Sequence, residues 1–446
     1  MSDNNSKKPS KKTKSLGLWM CTALVVGNMV GTGVFLLPAS LAPMGWNAII
    51  ALCLTILGGL GLAYVFGSLA KRFPKAGGPY VYTAEAFGPA AGFMVAWSYW
   101  ISLWVGNVGI ATGTLSYVTY FIPEINSVTG LSAGITFAMI WTLILINIRG
   151  TFLAGSFQLI TTILKFMPLI FVAALGIYVF TSGRSVPSNP LIISDLKLPV
   201  ITAAATLTVW GILGIEAATV PAGNIENPEK TIPRATMLGM GLTGVIYLLV
   251  FASILLLMPA DQLANSNAPF AEFIGQYMGR SMDSVIAIFA VISGFGALNG
   301  WIMLMGEMPN AMAKSGVFPK YLAKRSRYDT PARGLIISGL LLSCVLLMNY
   351  QESMLDLFKF IILLSTTSSL YMFLSSTLSA FKLQKDQRLG APKVISFIAI
   401  LTALYAIWTV IGAGYDGELW SGKPIFWGLV LLVAGLPVYM LTRREV

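Results

Sequence analysis

The chain has 446 residues, of which 56% are apolar and only 11% charged, with a mean hydropathy of +0.76. Soluble globular proteins carry roughly a quarter charged residues, so a water-soluble particle of this size is excluded. The net charge of +11 contains no histidine, which removes imidazole catalysis, histidine metal ligation and histidine pH switches.

In chain order, the lysine-rich polar stretch 1–15 reads as a disordered cytoplasmic tail. Apolar runs follow at about 16–37, 46–70, 89–121, 131–148, 153–181, 197–224, 237–258, 282–312, 334–350, 354–381, 391–411 and 424–442. Each approaches the ~20 residues a helix needs to cross a bilayer, which predicts an all-α integral membrane protein of twelve transmembrane helices. Cys21, Cys53 and Cys344 lie far apart inside these runs without a Cys-x-x-Cys pair, so no disulfide framework, metal or cofactor is expected.

Twelve spans put both termini on one side. Assigning loops alternately places 23 of the 29 basic residues on that side, against Arg184, Lys197, Arg280 and Lys423 on the other. By the positive-inside rule the basic side is cytoplasmic. This distribution makes the lipid bilayer, rather than nucleic acid, the partner of the positive charge. The first span has no small-residue cleavage site and is expected to be retained. Together these features suggest a multi-pass protein of a bacterial cytoplasmic (inner) membrane.

Two spans carry helix-breaking sequence. The first contains Gly27-Asn28-Met29-Val30-Gly31-Thr32-Gly33 and runs to Pro38; the sixth contains Trp210-Gly211-Ile212-Leu213-Gly214-Ile215-Glu216 and runs to Pro221. Glycine lets the backbone leave helical geometry, and each proline removes a ladder bond. An offset of five spans makes the second copy enter from the opposite side, as in an inverted repeat. The reading divides the chain into a first repeat at 16–181, a second at 182–381, and spans eleven and twelve with the C-terminus at 382–446. Freed amides and carbonyls at two such breaks suit the carboxylate and ammonium of a zwitterion. The plainer alternative is that the glycines only allow close helix packing.

These stretches, with Gly77-Gly78-Pro79-Tyr80-Val81-Tyr82, Asn227-Pro228, Gly300-Trp301 and Gly316-Val317-Phe318-Pro319, resemble the amino acid–polyamine–organocation (APC) superfamily. Within it they look like the basic amino acid/polyamine antiporters, with arginine/agmatine exchange the nearest activity. The resemblance spans about 15 to 440 and implies a LeuT-like fold of two inverted five-helix repeats working by alternating access, and it admits a homodimer. It implies that backbone at Gly31, Thr32 and Gly33 holds a substrate carboxylate, with Asn28 one turn earlier. Carbonyls near Trp210, Ile212 and Leu213 would receive the α-amino group. Tyr99 and Asn107, eight residues apart and so on one helical face, would project from the third span. Asn107 and Ser365 would meet the distal end of the substrate, and Trp301 would be the aromatic plate under its cation. Trp210, Glu216 and, more remotely, Tyr80 would serve gating or proton sensing.

Charges inside the spans sharpen the reading. An isolated ion at mid-membrane costs at least ~2.5–3.5 kcal/mol, so Glu216 reads as functional: holding an amine, titrating, or bracing the two broken spans. Lys165 departs from the antiporter pattern. With Gln158, Thr162, Leu164 and Pro168 it resembles sodium-independent neutral amino acid exchangers, in which such an ammonium takes the place of a sodium ion. A lysine snorkelling to the interface is the alternative. Glu307, where glutamine is expected, either offsets Lys165 or faces a vestibule. Lys359 reads as interfacial.

The expected activity is therefore secondary antiport of an amino acid against its decarboxylated amine or a related amino acid, most closely of the arginine/agmatine type. A sodium-independent neutral amino acid exchanger and a proton-coupled permease are the alternatives. An enzyme would need a catalytic constellation, a channel a filter segment and an ATP-driven pump a Walker motif; the sequence holds none of these.

Overall fold

The computed structural model describes residues 16–31, 33–75, 77–128, 130–150, 164–183, 189–220, 222, 225–348, 354–414 and 423–443. Among these residues the chain is helical, without strands; one isolated parallel bridge joins Leu16 to Ile225. The tail 1–15 and most of the expected fifth-span start, including Gln158 and Thr162, lie outside the described residues.

Leu18–Met29 (α1) and Gly33–Leu41 (α2) form a pair whose axis bends by 43° at the glycines. Trp46–Arg72 (α3) and the short Pro79–Phe87 (α4) lead into Pro89–Thr119 (α5) and Leu131–Arg149 (α6). Phe166–Thr181 (α7) and Leu198–Val209 (α8) are shorter apolar helices, followed by the long Pro228–Leu257 (α9). Two small helices, Ala260–Ala264 (α10) and Pro269–Met278 (α11), precede Arg280–Lys314 (α12). Ala332–Met348 (α13), Met354–Lys385 (α14), Val394–Gly412 (α15), Lys423–Val433 (α16) and Gly435–Arg443 (α17) complete the order. Among the described residues, eight helices are long and apolar enough to cross a membrane, counting the segment Pro424–Thr442 as one.

The centre of the bundle is α5. Its most apolar stretch is 89% buried, against 33% for α6 and α15 and 17% for Pro424–Thr442. It is also the least apolar of the eight, because a helix enclosed by protein need not match lipid. Peripheral helices carry the exposed leucines and isoleucines instead, such as Leu404, Ile407 and Leu429. Polar side chains tie the layers together. The Trp100 indole donates to Ser338 Oγ at 2.8 Å and Asn147 Nδ2 to Asn299 Oδ1 at 2.9 Å. Thr55 and Thr208 share a 2.7 Å hydrogen bond, and the Tyr405 hydroxyl donates to Thr55 at 3.0 Å.

Close helix approach depends on small residues. A Cβ added at Gly67 of α3 would sit 2.9 Å from Pro233 Cα on α9, a backbone atom with no room to rotate away. Gly67→Ala is expected to destabilise by about 1–3 kcal/mol through overpacking. A thermal melt of the purified protein should show a lower midpoint; an unchanged midpoint would mean the α3–α9 contact is looser than it stands here.

Candidate functional site

The first break is built from three backbone groups. Val30 N–H makes the last helical bond of α1, to Val26 O at 2.9 Å. Gly31 N–H then turns to Met29 O at 3.1 Å, so Gly27 O loses the partner it would have had in a continuous helix. The Lys165 ammonium, 1% exposed at the start of α7, donates to that Gly27 carbonyl. The Tyr247 hydroxyl, on α9, donates to Met29 O at 2.8 Å. Beyond the break, the Tyr117 hydroxyl holds Phe35 O at 3.0 Å. Thr32 lies outside the described residues, and Gly33 begins α2.

The second break is longer than its sequence suggested. After α8 and one tight turn at Trp210–Ile212, Leu213 becomes extended (ψ 135) and Gly214 adopts φ +104, a conformation strained for any residue with a Cβ. From there to Val220 the chain runs in turns. The i→i+3 bonds Ala217 N–H to Gly214 O (2.9 Å) and Thr219 N–H to Glu216 O (2.7 Å) replace the helical ladder. The Glu216 carboxylate, 1% exposed, accepts from Gly214 N–H at 3.2 Å and from the Tyr99 hydroxyl of α5.

The two breaks touch. A Cβ on Gly214 would lie 2.9 Å from both the carbonyl carbon and Cβ of Asn28, so only glycine lets the chains come this close. Tyr247 spans both breaks: its hydroxyl is on Met29 O, and its ring is 3.1 Å from where a Gly211 Cβ would be. Between the breaks lies a cavity of about 10 Å³, lined by Asn28, Met29, Gly31, Val34, Ile110, Trp210, Leu213 and Trp301. That is room for about one water. A recess of about 610 Å³ opens beside it, with Ser40, Leu207, Lys359 and Leu363 in its walls. Leu207 in the wall of the recess and Trp210 in the wall of the cavity are three residues apart in the chain, and the Trp210 indole packs onto α5. Gly106 and Gly109 of α5 make room for that indole; a Cβ at Gly106 would sit 3.0 Å from it and 3.2 Å from Ser365 Oγ.

Residues 16–436 of the chain match the amino acid permease family. The chain belongs to that family. It is a multi-pass membrane transporter and not an enzyme. It is 31% identical to the cadaverine/lysine antiporter of Escherichia coli (strain K12) over 75% of each chain. A Bacillus subtilis (strain 168) protein provisionally named an arginine/ornithine antiporter is 30% identical over 96% of this chain and 97% of its own length. The putrescine transporter PotE of Escherichia coli (strain K12) is 27% identical over 97% and 99%.

Within this transporter the expected site residues divide into two sets. Asn28, Gly31, Trp210, Leu213 and Trp301 meet at the cavity. Tyr99 does not line it and is engaged by Glu216. Asn107 also lies outside it: its Nδ2 donates to Leu103 O at 2.9 Å and contacts Met305 Sδ at 3.6 Å, while its buried Oδ1 has no partner among the described residues. Ser365 donates to Ser102 O at 3.0 Å beside Trp210. Ile212 points towards α3, its Cδ1 within 3.2 Å of where a Gly59 Cβ would be. The carbonyls of Trp210 and Ile212 already accept turn bonds of 3.3 Å from Leu213 and Ile215, leaving one lone pair each. Tyr80 stacks over Gly77, whose N–H donates to Val220 O at 3.0 Å; it therefore supports the far end of the second break.

Glu307 is paired with Arg325 in a two-pronged bridge (2.8 and 3.1 Å) and so is engaged by a residue other than Lys165. Burial pulls the Arg325 pKa down, but Glu307 and Asp329 outweigh it and hold the guanidinium above its ordinary value. Lys359 is half-buried in the wall of the recess. Sequence reasoning missed Tyr247 and Ile110. A lone tyrosine in an apolar span carries no motif, and its only signal is a hydroxyl that must find a partner in lipid. Tyr247→Phe keeps the ring and removes the donor at Met29 O. It is expected to cost about 0.5–1.5 kcal/mol of stability and to slow transport. Melting and vesicle uptake both at wild-type values would mean that this carbonyl needs no cap.

Proposed function

We propose that the protein is a secondary active antiporter that exchanges a basic amino acid for its decarboxylated amine or a related amino acid, with arginine/agmatine-type exchange its nearest description. One observation carries the reading: two broken helices meet at Asn28 and Gly214, with Trp210 and Trp301 facing the space between them. Backbone amides near Gly31 and Gly33 suit a carboxylate at the start of α2, and carbonyls near Trp210 to Leu213 suit an α-ammonium. Trp301 supplies an indole face for the distal cation. The relatives named for lysine, cadaverine, arginine, ornithine and putrescine support substrates of this class.

The architecture in this reading is twelve helices in a LeuT-like 5+5 inverted repeat. Among the described residues, eight long apolar helices, the bent α1–α2 pair and the shorter apolar helices Phe166–Thr181, Leu198–Ile212 and Ala332–Met348 support that count. Both termini are cytoplasmic in a bacterial inner membrane, on the strength of the basic-residue asymmetry. Transport is by alternating access, with Trp210 swinging aside to join recess and cavity. Lys165 holds a freed carbonyl as a bound sodium ion would, so the cycle is sodium-independent. The same ammonium, which has no acidic partner among the described residues, favours a second reading as a neutral amino acid exchanger.

Counterflow in proteoliposomes separates the two. Vesicles loaded with arginine should take up labelled arginine, agmatine, ornithine or lysine at the same rate with and without sodium, and empty vesicles should not. Trp301→Ala should weaken apparent arginine affinity about 2- to 30-fold, the loss of a stacked cation worth ~0.5–2 kcal/mol. Exchange confined to alanine and serine in alanine-loaded vesicles, with Trp301→Ala silent, would establish the neutral exchanger.

A further inference from the structure

Two recesses on the flank of α3 join into one groove. The larger recess, about 730 Å³, is walled by Leu54, Leu57, Leu60, Leu401 and Leu404, with Tyr405 beside them. The second, about 610 Å³, lies towards the end of α3 and is lined by Lys71, Arg72 and Arg388 together with Glu229. Tyr64 and Met237 belong to both, so the apolar trough runs directly into the basic mouth. From Leu54 to Lys71 the groove covers about 26 Å of helix, enough to span one bilayer leaflet with its headgroups, about 20–22 Å.

The walls of the trough are bare. Leu57 is 65% exposed, Leu404 57% and Leu401 49%. Gly58 lets the Tyr405 ring come within 2.6 Å of where its Cβ would be, which brings α15 onto α3 and leaves the leucines as parallel rims. At the mouth the charges are unequal. Arg388 is engaged by Glu85 at 3.0 Å, and Arg72 Nε donates to Arg388 O at 2.9 Å. That leaves the Lys71 ammonium and the terminal nitrogens of Arg72 without a protein partner among the described residues, opposed by the single carboxylate of Glu229.

We propose that this groove binds an anionic glycerophospholipid, its phosphate at Lys71 and Arg72 and an acyl chain along Leu54, Leu57 and Leu60 against α15. Charge decides the occupant. A second copy of the chain docked here would need to bring carboxylates to Lys71 and Arg72, whereas an anionic headgroup supplies the charge and its chains the apolar surface. Basic residues at a helix end are common topology signals; here they close the mouth of a trough shaped for a chain.

The test is native mass spectrometry of the delipidated full-length protein, titrated with dioleoylphosphatidylglycerol or dioleoylphosphatidylcholine, with monodisperse elution checked for each variant. The wild type should retain more phosphatidylglycerol than phosphatidylcholine. Lys71→Gln with Arg72→Gln should reduce phosphatidylglycerol binding roughly fivefold per charge removed. If the pair fails to fold, Lys71→Gln alone should still lose about fivefold. Leu57→Trp, which fills the trough from an exposed position, should reduce binding of both lipids. Equal retention of the two lipids, a preference untouched by the charge variants, or a change of Leu57→Trp from dimer to monomer mass without loss of lipid would overturn the proposal.

Discussion

A helix that stops inside a membrane leaves carbonyls that lipid does not hydrate, and the centre of this protein is organised around meeting them. At the first break the Gly27 carbonyl takes an ammonium from α7 and the Met29 carbonyl a phenol from α9. Those two donors come from helices that would otherwise need no polar residue there. They fix where α1 ends and, through it, where Asn28 meets Gly214. At the second break, the chain meets its own needs with tight turns and a carboxylate, and Tyr99 anchors that carboxylate to the central helix.

This arrangement is closed. The space between the breaks admits about one water, with Trp210 and Trp301 in its wall. A substrate therefore enters only by moving walls that are themselves held by a few hydrogen bonds, each worth about 0.5–1.5 kcal/mol net between neutral groups and about 1.5–3 kcal/mol to a charged one. Such bonds are weak enough to exchange for bonds to a ligand, and a ligand shifts the balance only by binding one arrangement more tightly than the other. Lys165 and Tyr247 sit where that difference would be felt, since each touches the broken segment rather than the cavity itself.

Much of the scaffold was legible because membrane helices announce themselves by length and composition. The expected third span, 89–121, appears as Pro89–Thr119, and the expected eighth, 282–312, as Arg280–Lys314. The break at Gly27–Gly33 was legible because glycine and proline change the backbone directly. The extent of the second break was not, because turns from Leu213 to Val220 are set by contacts with the Gly77-Gly78 loop and Tyr99, which lie far away in sequence. For the same reason Tyr99 and Asn107, placed together by helical spacing, have different partners. Helical periodicity names a face, and neighbouring elements decide what each residue on it meets. Glu307 shows the limit from another side: its partner Arg325 lies in a loop, where sequence carries little positional information.

The most direct measurement is a cryo-electron microscopy structure of the protein in lipid nanodiscs at saturating arginine. The account predicts density bounded by residues 28–33, residues 210–214 and Trp301, with the Gly27 and Met29 carbonyls still held by Lys165 and Tyr247. Arginine density confined to the recess beside Lys359, with the breaks unchanged and closed on each other, would contradict it.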